Sequence, residues 1–200
     1  MKRGFGRSAC AALVVIVVIV VIVAAGCRYD APLHGMVVDP PSEAPVVHVA
    51  GEGAFDLDAE RGKRTVVIYF GYTHCPDVCP ATLVDWARAK KSLGSAADGV
   101  RFVFVSIDPD RDTPQIARAY AQQFDPSFVG LAPTAAQVDS LKENWGFAVM
   151  RDSTADMKKG EYAVTHPAGS FVIDRAGRIR EIIPPNTAAA DIALDLRRIR

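Results

Sequence analysis

The sequence lacks a charge imbalance. Its 200 residues carry 23 Lys and Arg against 23 Asp and Glu. That gives no electrostatic case for nucleic acid or an acidic substrate as partner. Internal repeats are absent, and beyond the N-terminal region there is no low-complexity run. The four methionines form no Met-rich pattern of the kind that gathers copper. Cysteine and histidine are scarce, four of each, so any thiol or imidazole site draws on few side chains. What is abundant is apolar: half of the residues, enough for one globular domain with a real core.

The N-terminus stands apart. Lys2, Arg3 and Arg7 precede an unbroken apolar run from Ala9 to Ala25. A basic region, an apolar stretch and then small residues form an export signal. The run ends in Ala24-Ala25-Gly26-Cys27, which resembles a bacterial lipobox with Cys27 as the lipidated residue, although Ala24 stands where Leu is usual. The alternative is an uncleaved anchor helix, since a run of this length just spans a bilayer. Both readings place the domain outside the cytoplasm and tie it to a membrane. Residues 1–26 are therefore read as the signal or anchor, 27–52 as a tether, and 53–200 as the domain. Without 1–26 the chain has 20 basic and 23 acidic residues, which does not suggest clinging to anionic lipid.

The tether carries Pro32, Pro40, Pro41 and Pro45 and few periodic apolar positions, with at most a short strand at Val46 to Val49. His34 and His48 are expected to be solvated there. Alternating elements follow. Buried strands are predicted at Thr65–Phe70 and Val100–Ile107, with a helix at Val78–Leu93 between them. A helix at Pro114–Phe124 has Thr113 as its cap and an inward stripe of Ile116, Tyr120 and Phe124. A short strand at Phe128–Leu131 leads to a helix at Thr134–Trp145. Strands at Ser170–Asp174 and Ile179–Ile183 form a hairpin, and a helix at Ala188–Ile199 closes the chain. This pattern predicts an α/β sandwich around a central mixed sheet. Ligands of such sheets sit beyond the C-terminal ends of the parallel strands. The loops Gly71–Pro80 and Asp108–Thr113 leave strands at that edge.

The first of those loops reads GYTHCPDVCP. With Cys10 and Cys27 in the N-terminal region, Cys75 and Cys79 are the only thiols of the domain. Residues four apart share a helix face. Cys79 continues the stripe of Leu83 and Ala87, so it points toward the sheet. A helix N-terminus favours thiolate, and two thiolates suit Cu(I), Zn or an iron–sulfur cluster. A third ligand is open between His74, whose neighbour position on extended chain points it away from Cys75, and His166, in a loop just before the strand at Ser170. Asp77 and Asp108 are candidates for hydrogen-bonding the ligands from behind, though a helix-dipole role and a loop cap explain them as well. Arg111 and Asp112 are read as a structural pair, and Met150 as core. The polar stretch Asp152–Gly160 reads as a mobile loop.

GYTHCPDVCP resembles the signature of the Sco/SenC family, membrane-bound thioredoxin-fold copper proteins of cytochrome c oxidase assembly. Ser106–Pro114 (SIDPDRDTP) is similar to the family's S-x-D-P-x-R-D-T stretch, and Gly130-Leu131 resembles its short strand before the third helix. His166, five residues before Phe171, resembles the family's copper histidine. Thr165 and Pro167 stand where the family often has Asp and Ser or Thr. The resemblance covers about residues 53–198. It implies a thioredoxin-like fold and copper, Cu(I) or Cu(II), held by Cys75, Cys79 and His166. It also implies a partner oxidase subunit bearing the dinuclear copper centre, with a copper donor protein and a thiol reductant upstream.

Two function classes follow. One is a copper-binding assembly factor, acting by binding and transfer rather than turnover. The other is a thiol-disulfide oxidoreductase whose oxidised form carries a Cys75–Cys79 disulfide. C-x-x-x-C is one residue longer than the usual redox spacing, and no Trp-Cys-Gly-Pro-Cys environment is present. Zinc, which needs a fourth ligand, ranks below copper, and nothing resembles a peroxidatic loop.

Overall fold

A computed structural model describes residues 32–49, 54–152 and 162–199. The signal or anchor, Cys27, the end of the expected tether and the polar stretch after Asp152 lie outside the described residues. Among the described residues no helix is long and apolar enough to cross a membrane.

The strands are β1 (Met36–Glu43), β2 (His48–Val49), β3 (Phe55–Asp56), β4 (Thr65–Gly71), β5 (Val100–Ser106), β6 (Val129–Leu131), β7 (Met150–Arg151), β8 (Val164–Thr165), β9 (Ser170–Ile173) and β10 (Arg178–Ile183). The helices are α1 (Val78–Leu93), α2 (Pro114–Phe124), α3 (Ala135–Trp145) and α4 (Ala189–Arg198). Six strands form one mixed sheet in the order β1-β10-β9-β4-β5-β6. β4, β5 and β6 run parallel; β9, β10 and β1 are added antiparallel. Every residue of β4 is buried, as a strand covered on both faces must be. The expected α/β architecture is therefore present.

Aromatic side chains mark the two layers. Tyr69, Trp86, Phe102, Phe104, Tyr120 and Phe128 pack edge-on or tilted on the face that carries α1 and α2. Phe70, Trp145, Phe147 and Phe171 pack on the opposite face under α3. Local signals set the helix starts. Thr113 accepts the Ile116 amide with Pro114 in the first position, and Thr134 forms a capping box with Gln137.

Four expectations are corrected. The Pro-rich stretch is not a free tether, because Met36–Glu43 forms the edge strand β1 against β10. Proline lacks an N–H and is tolerated at a sheet edge, and the register shifts between Val37 and Ser42, around the two prolines. His34 is not simply solvated: its amide and its ring Nδ1 both reach the Asp195 carboxylate, at 2.8 and 2.9 Å. Of the expected stripe on α2, Tyr120 and Phe124 pack partly buried against the core, whereas Ile116 is exposed and Ala117 and Ala121 are the fully buried positions. β6 approaches so closely that a Cβ on Gly130 would lie 2.1 Å from the Ala117 carbonyl oxygen, so only small side chains fit between them. Met150, expected in the core, is exposed on β7.

The docking of the N-terminal segment buries acid. Glu181 on β10 accepts the Gly35 amide at 2.6 Å, and its other carboxylate oxygen is buried without a hydrogen bond. Burial first, then the nearby Asp195 charge, push Glu181 up to about 7 from an ordinary 4.5. Between those values the folded chain keeps a proton that the unfolded chain has lost. Stability therefore falls as the pH rises through that window. His34, raised by its hydrogen bond to Asp195, acts in the same direction: its contribution is complete below the ordinary histidine value and is lost as pH rises through the folded one. Glu181→Gln keeps the acceptor for Gly35 and removes the charge. It is expected to be more stable than wild type at pH 8 by about 1 kcal/mol, roughly 2–4 °C in Tm for a domain of this size, with the gap closing toward pH 5. Thermal melts across that range check it; parallel curves would exclude the assignment.

Candidate metal centre

The site is built at the C-terminal ends of β4 and β5. After Gly71 the chain turns, with the Cys75 amide donating to the Tyr72 carbonyl at 3.3 Å, and then enters α1 at Val78, the residue before Cys79. Asp77 occupies the N-cap position of α1, exposed and without a capping hydrogen bond. The acceptor near the helix start is instead Cys75, whose Sγ takes the Cys79 amide at 3.4 Å. Gly71 is needed for close approach: a Cβ there would lie 2.9 Å from Cys79 Sγ.

His166 follows β8, whose pairing with β7 returns the chain to the sheet edge. Cys75 Sγ, Cys79 Sγ and one imidazole nitrogen of His166 all lie within 4.8 Å of one another. The Nε2 atom is 3.6 Å from Cys79 Sγ. Its Nδ1 lies 2.9 Å from the Pro167 carbonyl, which can only accept, so Nδ1 carries the proton and Nε2 presents its lone pair to the thiols. Tyr69 and Tyr72 hold the ring edge-on from two sides, at 5.6 and 5.8 Å between centroids. Burial lowers the His166 pKa, keeping the ring neutral and able to ligate.

The thiols differ. Cys79 is fully buried and Cys75 is 8% exposed; both are free. Burial pushes the Cys79 thiol up to about 12. The expectation that the helix start lowers its pKa is thus reversed, because desolvation outweighs the dipole. The Tyr69 hydroxyl, itself raised by burial, donates to Cys79 Sγ at 3.7 Å.

Two buried carboxylates fix the loops. Asp112 accepts the Thr73 amide at 2.9 Å, the Thr73 hydroxyl at 2.6 Å and the Ser106 hydroxyl at 2.5 Å. Asp108 accepts the Tyr162 hydroxyl at 2.7 Å and the Arg111 guanidinium. Arg111 in turn donates to the Tyr162 carbonyl and lies 3.6 Å from that ring's centroid. The expected pairing of Arg111 with Asp112 is therefore corrected: Arg111 pairs with Asp108, while Asp112 holds the cysteine loop. Asp108 holds the segment leading to His166 rather than a ligand atom, and Asp77 hydrogen-bonds no ligand from behind.

Sequence reasoning missed Tyr69, Tyr72, Thr73 and Tyr162. Tyr69 was findable, because strand alternation puts it on the same face as Gly71. Tyr162 carried no signal.

The fold and the site together define a thioredoxin-like protein with a convergent Cys-Cys-His group whose sulfurs and imidazole suit a soft metal. Comparison with known proteins gives the same class. The SCO1/SenC profile matches residues 51–200, and the chain belongs to the SCO1/SenC family. The protein is 29% identical over 151 residues to Protein sco1 of Schizosaccharomyces pombe, covering 70% of this chain and 57% of that one. It spans about half the length of the curated relatives it matches. Apo Sco1 of Thermus thermophilus superposes with a TM-score of 0.74 at 32% identity, covering 84% of this chain and 98% of that one. ScoI of Bradyrhizobium japonicum, solved with copper bound, gives 0.69 at 30% identity over 80% and 99%.

With Cys79 buried and its thiol protonated, iodoacetamide at pH 8 is expected to modify Cys75 well ahead of Cys79 in the reduced apo protein. Peptide mass spectrometry over time checks this; equal rates at the two sulfurs would remove the asymmetry.

Proposed function

We propose that this chain is a membrane-tethered, extracytoplasmic copper-binding protein that delivers copper to, or prepares, the dinuclear copper centre of cytochrome c oxidase. Proteins of this family bind copper and take part in cytochrome c oxidase assembly. The observation that carries the reading to this chain is the convergence of Cys75, Cys79 and His166. Two thiolates hold Cu(I), and an added imidazole accommodates Cu(II). The three side chains would together hold one soft ion. Cys27 carries the lipid in this proposal, with an uncleaved N-terminal helix as the alternative tether. Mass spectrometry of the mature N-terminus distinguishes the two.

The thiol pair supports a second reading, a thiol-disulfide oxidoreductase acting on cysteines of an oxidase subunit or another exported protein. Both sulfurs are free, and Cys75 Sγ already meets the Cys79 amide. A Cys75–Cys79 disulfide would remove two ligands at once, so oxidation and copper binding exclude each other. His166 separates the readings, since a dithiol redox cycle has no use for a third ligand aimed at the sulfurs.

Reduced wild-type protein is expected to bind one copper per chain in competition with a moderate chelator, and to show a sulfur-to-Cu(II) absorption band. Cys75→Ala and Cys79→Ala abolish both. His166→Ala, which removes a ligand itself, weakens binding by more than the roughly 10–100-fold that loss of an outer hydrogen-bond partner costs. A wild-type protein that retains no copper sinks the copper reading. A His166→Ala protein that matches wild type leaves only the dithiol.

A further inference from the structure

One buried side chain outside the three-ligand set brings a polar atom to it. Tyr69 lies on β4 and is fully buried. A buried hydroxyl is costly unless it finds a partner, and a phenylalanine would fill the same space without that cost. What the Tyr69 hydroxyl finds is a ligand atom: it donates to Cys79 Sγ at 3.7 Å. The other polar side chain beside it is Thr82. Thr82 gives its own proton to the Val78 carbonyl at 2.8 Å, so the phenol is the donor of this group.

The hydroxyl is held in place by packing. The Tyr69 ring meets Trp86 edge-on at 6.2 Å, Phe104 at a tilt at 6.5 Å and His166 edge-on at 5.6 Å between centroids. Tyr69 thus touches two of the three ligands, one through its oxygen and one through its ring. Gly71 leaves room for the meeting. A Cβ there would lie 2.9 Å from Cys79 Sγ and 3.1 Å from Tyr69 Cε1. The two sulfurs also differ in their donors. Cys75 Sγ takes a backbone amide, that of Cys79, at 3.4 Å. Cys79 Sγ has the Tyr72 amide beside it and, in addition, the Tyr69 side chain.

A neutral thiol is a weak acceptor. A sulfur carrying negative charge is a stronger one, because charge-assisted hydrogen bonds are shorter and stronger. The Tyr69 contact therefore gains most when Cys79 acts as a thiolate ligand. A hydrogen bond draws electron density from the sulfur, which then donates less to the metal. Cu(II) depends on that donation more than Cu(I) does, and hydrogen bonding around a cysteine sulfur is one of the levers on copper potential. We propose that Tyr69 is a positioning residue whose hydroxyl, bonded to the Cys79 sulfur, shifts the site in favour of Cu(I) over Cu(II). The inference rests on the copper reading above.

The test uses the full-length reduced protein in detergent, under argon. Tyr69→Phe keeps the ring and removes only the oxygen. Cu(I) and Cu(II) affinities are measured separately by chelator competition, and the sulfur-to-Cu(II) absorption band is recorded. Tyr69→Phe is expected to lower the ratio of Cu(I) to Cu(II) affinity by roughly tenfold, equivalent to about 59 mV in the one-electron potential. Its band is expected at longer wavelength, because a sulfur without the donor gives up charge more readily. Trp86→Phe disturbs the same ring cluster without removing the hydroxyl, and is expected to leave both readouts in place. Wild-type chain grown with meta-fluorotyrosine, a stronger donor, is expected to move both the opposite way, and it decides the matter if Tyr69→Phe does not fold. An unchanged ratio and band in Tyr69→Phe, an equal loss of both affinities, the same shift in Trp86→Phe, or no shift with fluorotyrosine overturns the inference while the copper reading stands. Failure of wild type itself to load copper overturns both.

Discussion

The site depends on the burial of two carboxylates in the loop after β5. Asp108 and Asp112 are each fully covered or nearly so. A buried carboxylate is costly unless its oxygens are filled with donors. Here each gathers donors from a different stretch of chain. Asp112 takes Thr73 and Ser106, which fastens the cysteine loop of β4 to the end of β5. Asp108 takes Tyr162 and Arg111, which fastens the segment before His166 to the same loop. Cys75, Cys79 and His166 thus meet because one short loop, SIDPDRDTP, holds both of the segments that bring them. Hydrogen bonds to charged acceptors are among the stronger ones, and leaving a buried partner unpaired costs roughly 1–3 kcal/mol each. Either clamp is therefore a substantial fraction of a domain's total stability of about 5–15 kcal/mol.

The parallel pair β4 and β5 makes this clamp possible. Their register runs unbroken from Thr65 opposite Val100 to Gly71 opposite Ser106, so both strands end at one level and their loops leave side by side. The Ile107 amide donates to the Gly71 carbonyl at 2.9 Å, continuing the ladder into the loops. What lies below is a layer of aromatic rings, and what lies above is polar. The Cys-Cys-His group sits at that boundary, with Cys79 fully buried and His166 partly exposed.

Much of this was legible in the sequence. β-branched and aromatic runs at 65–70 and 100–107, Thr113-Pro114 and the Thr134 cap are local signals, and each fixes an element within a residue or so. The Cys75–Cys79 spacing on a helix start was equally local. What was not legible depended on partners far away in the chain. Pro40 and Pro41 argue against a strand until β10 supplies an edge that tolerates them. Ile116 looks inward by period alone, but the close approach of Gly130 selects Ala117 instead. Arg111 sits beside Asp112 in sequence and turns to Asp108, because Thr73 and Ser106 already fill Asp112. Tyr162 has no motif at all; only its contact with Asp108 gives it a role.

The same burial that shapes the site also limits how tightly it holds a cation. A thiol raised from 9.0 to about 12 must give up its proton before it can ligate. Against an ordinary thiol, that deprotonation opposes binding and must be offset by the metal–sulfur bond. The cost is common to all metals, so it selects for those whose bond to sulfur is strong enough to repay it, which are the soft ones. It also ties affinity to pH, because a proton leaves as the ion enters. Desolvating one sulfur while leaving the other near the surface weakens the hold without weakening the selectivity. For a protein proposed to pass its cargo on, that compromise is more useful than the highest attainable affinity.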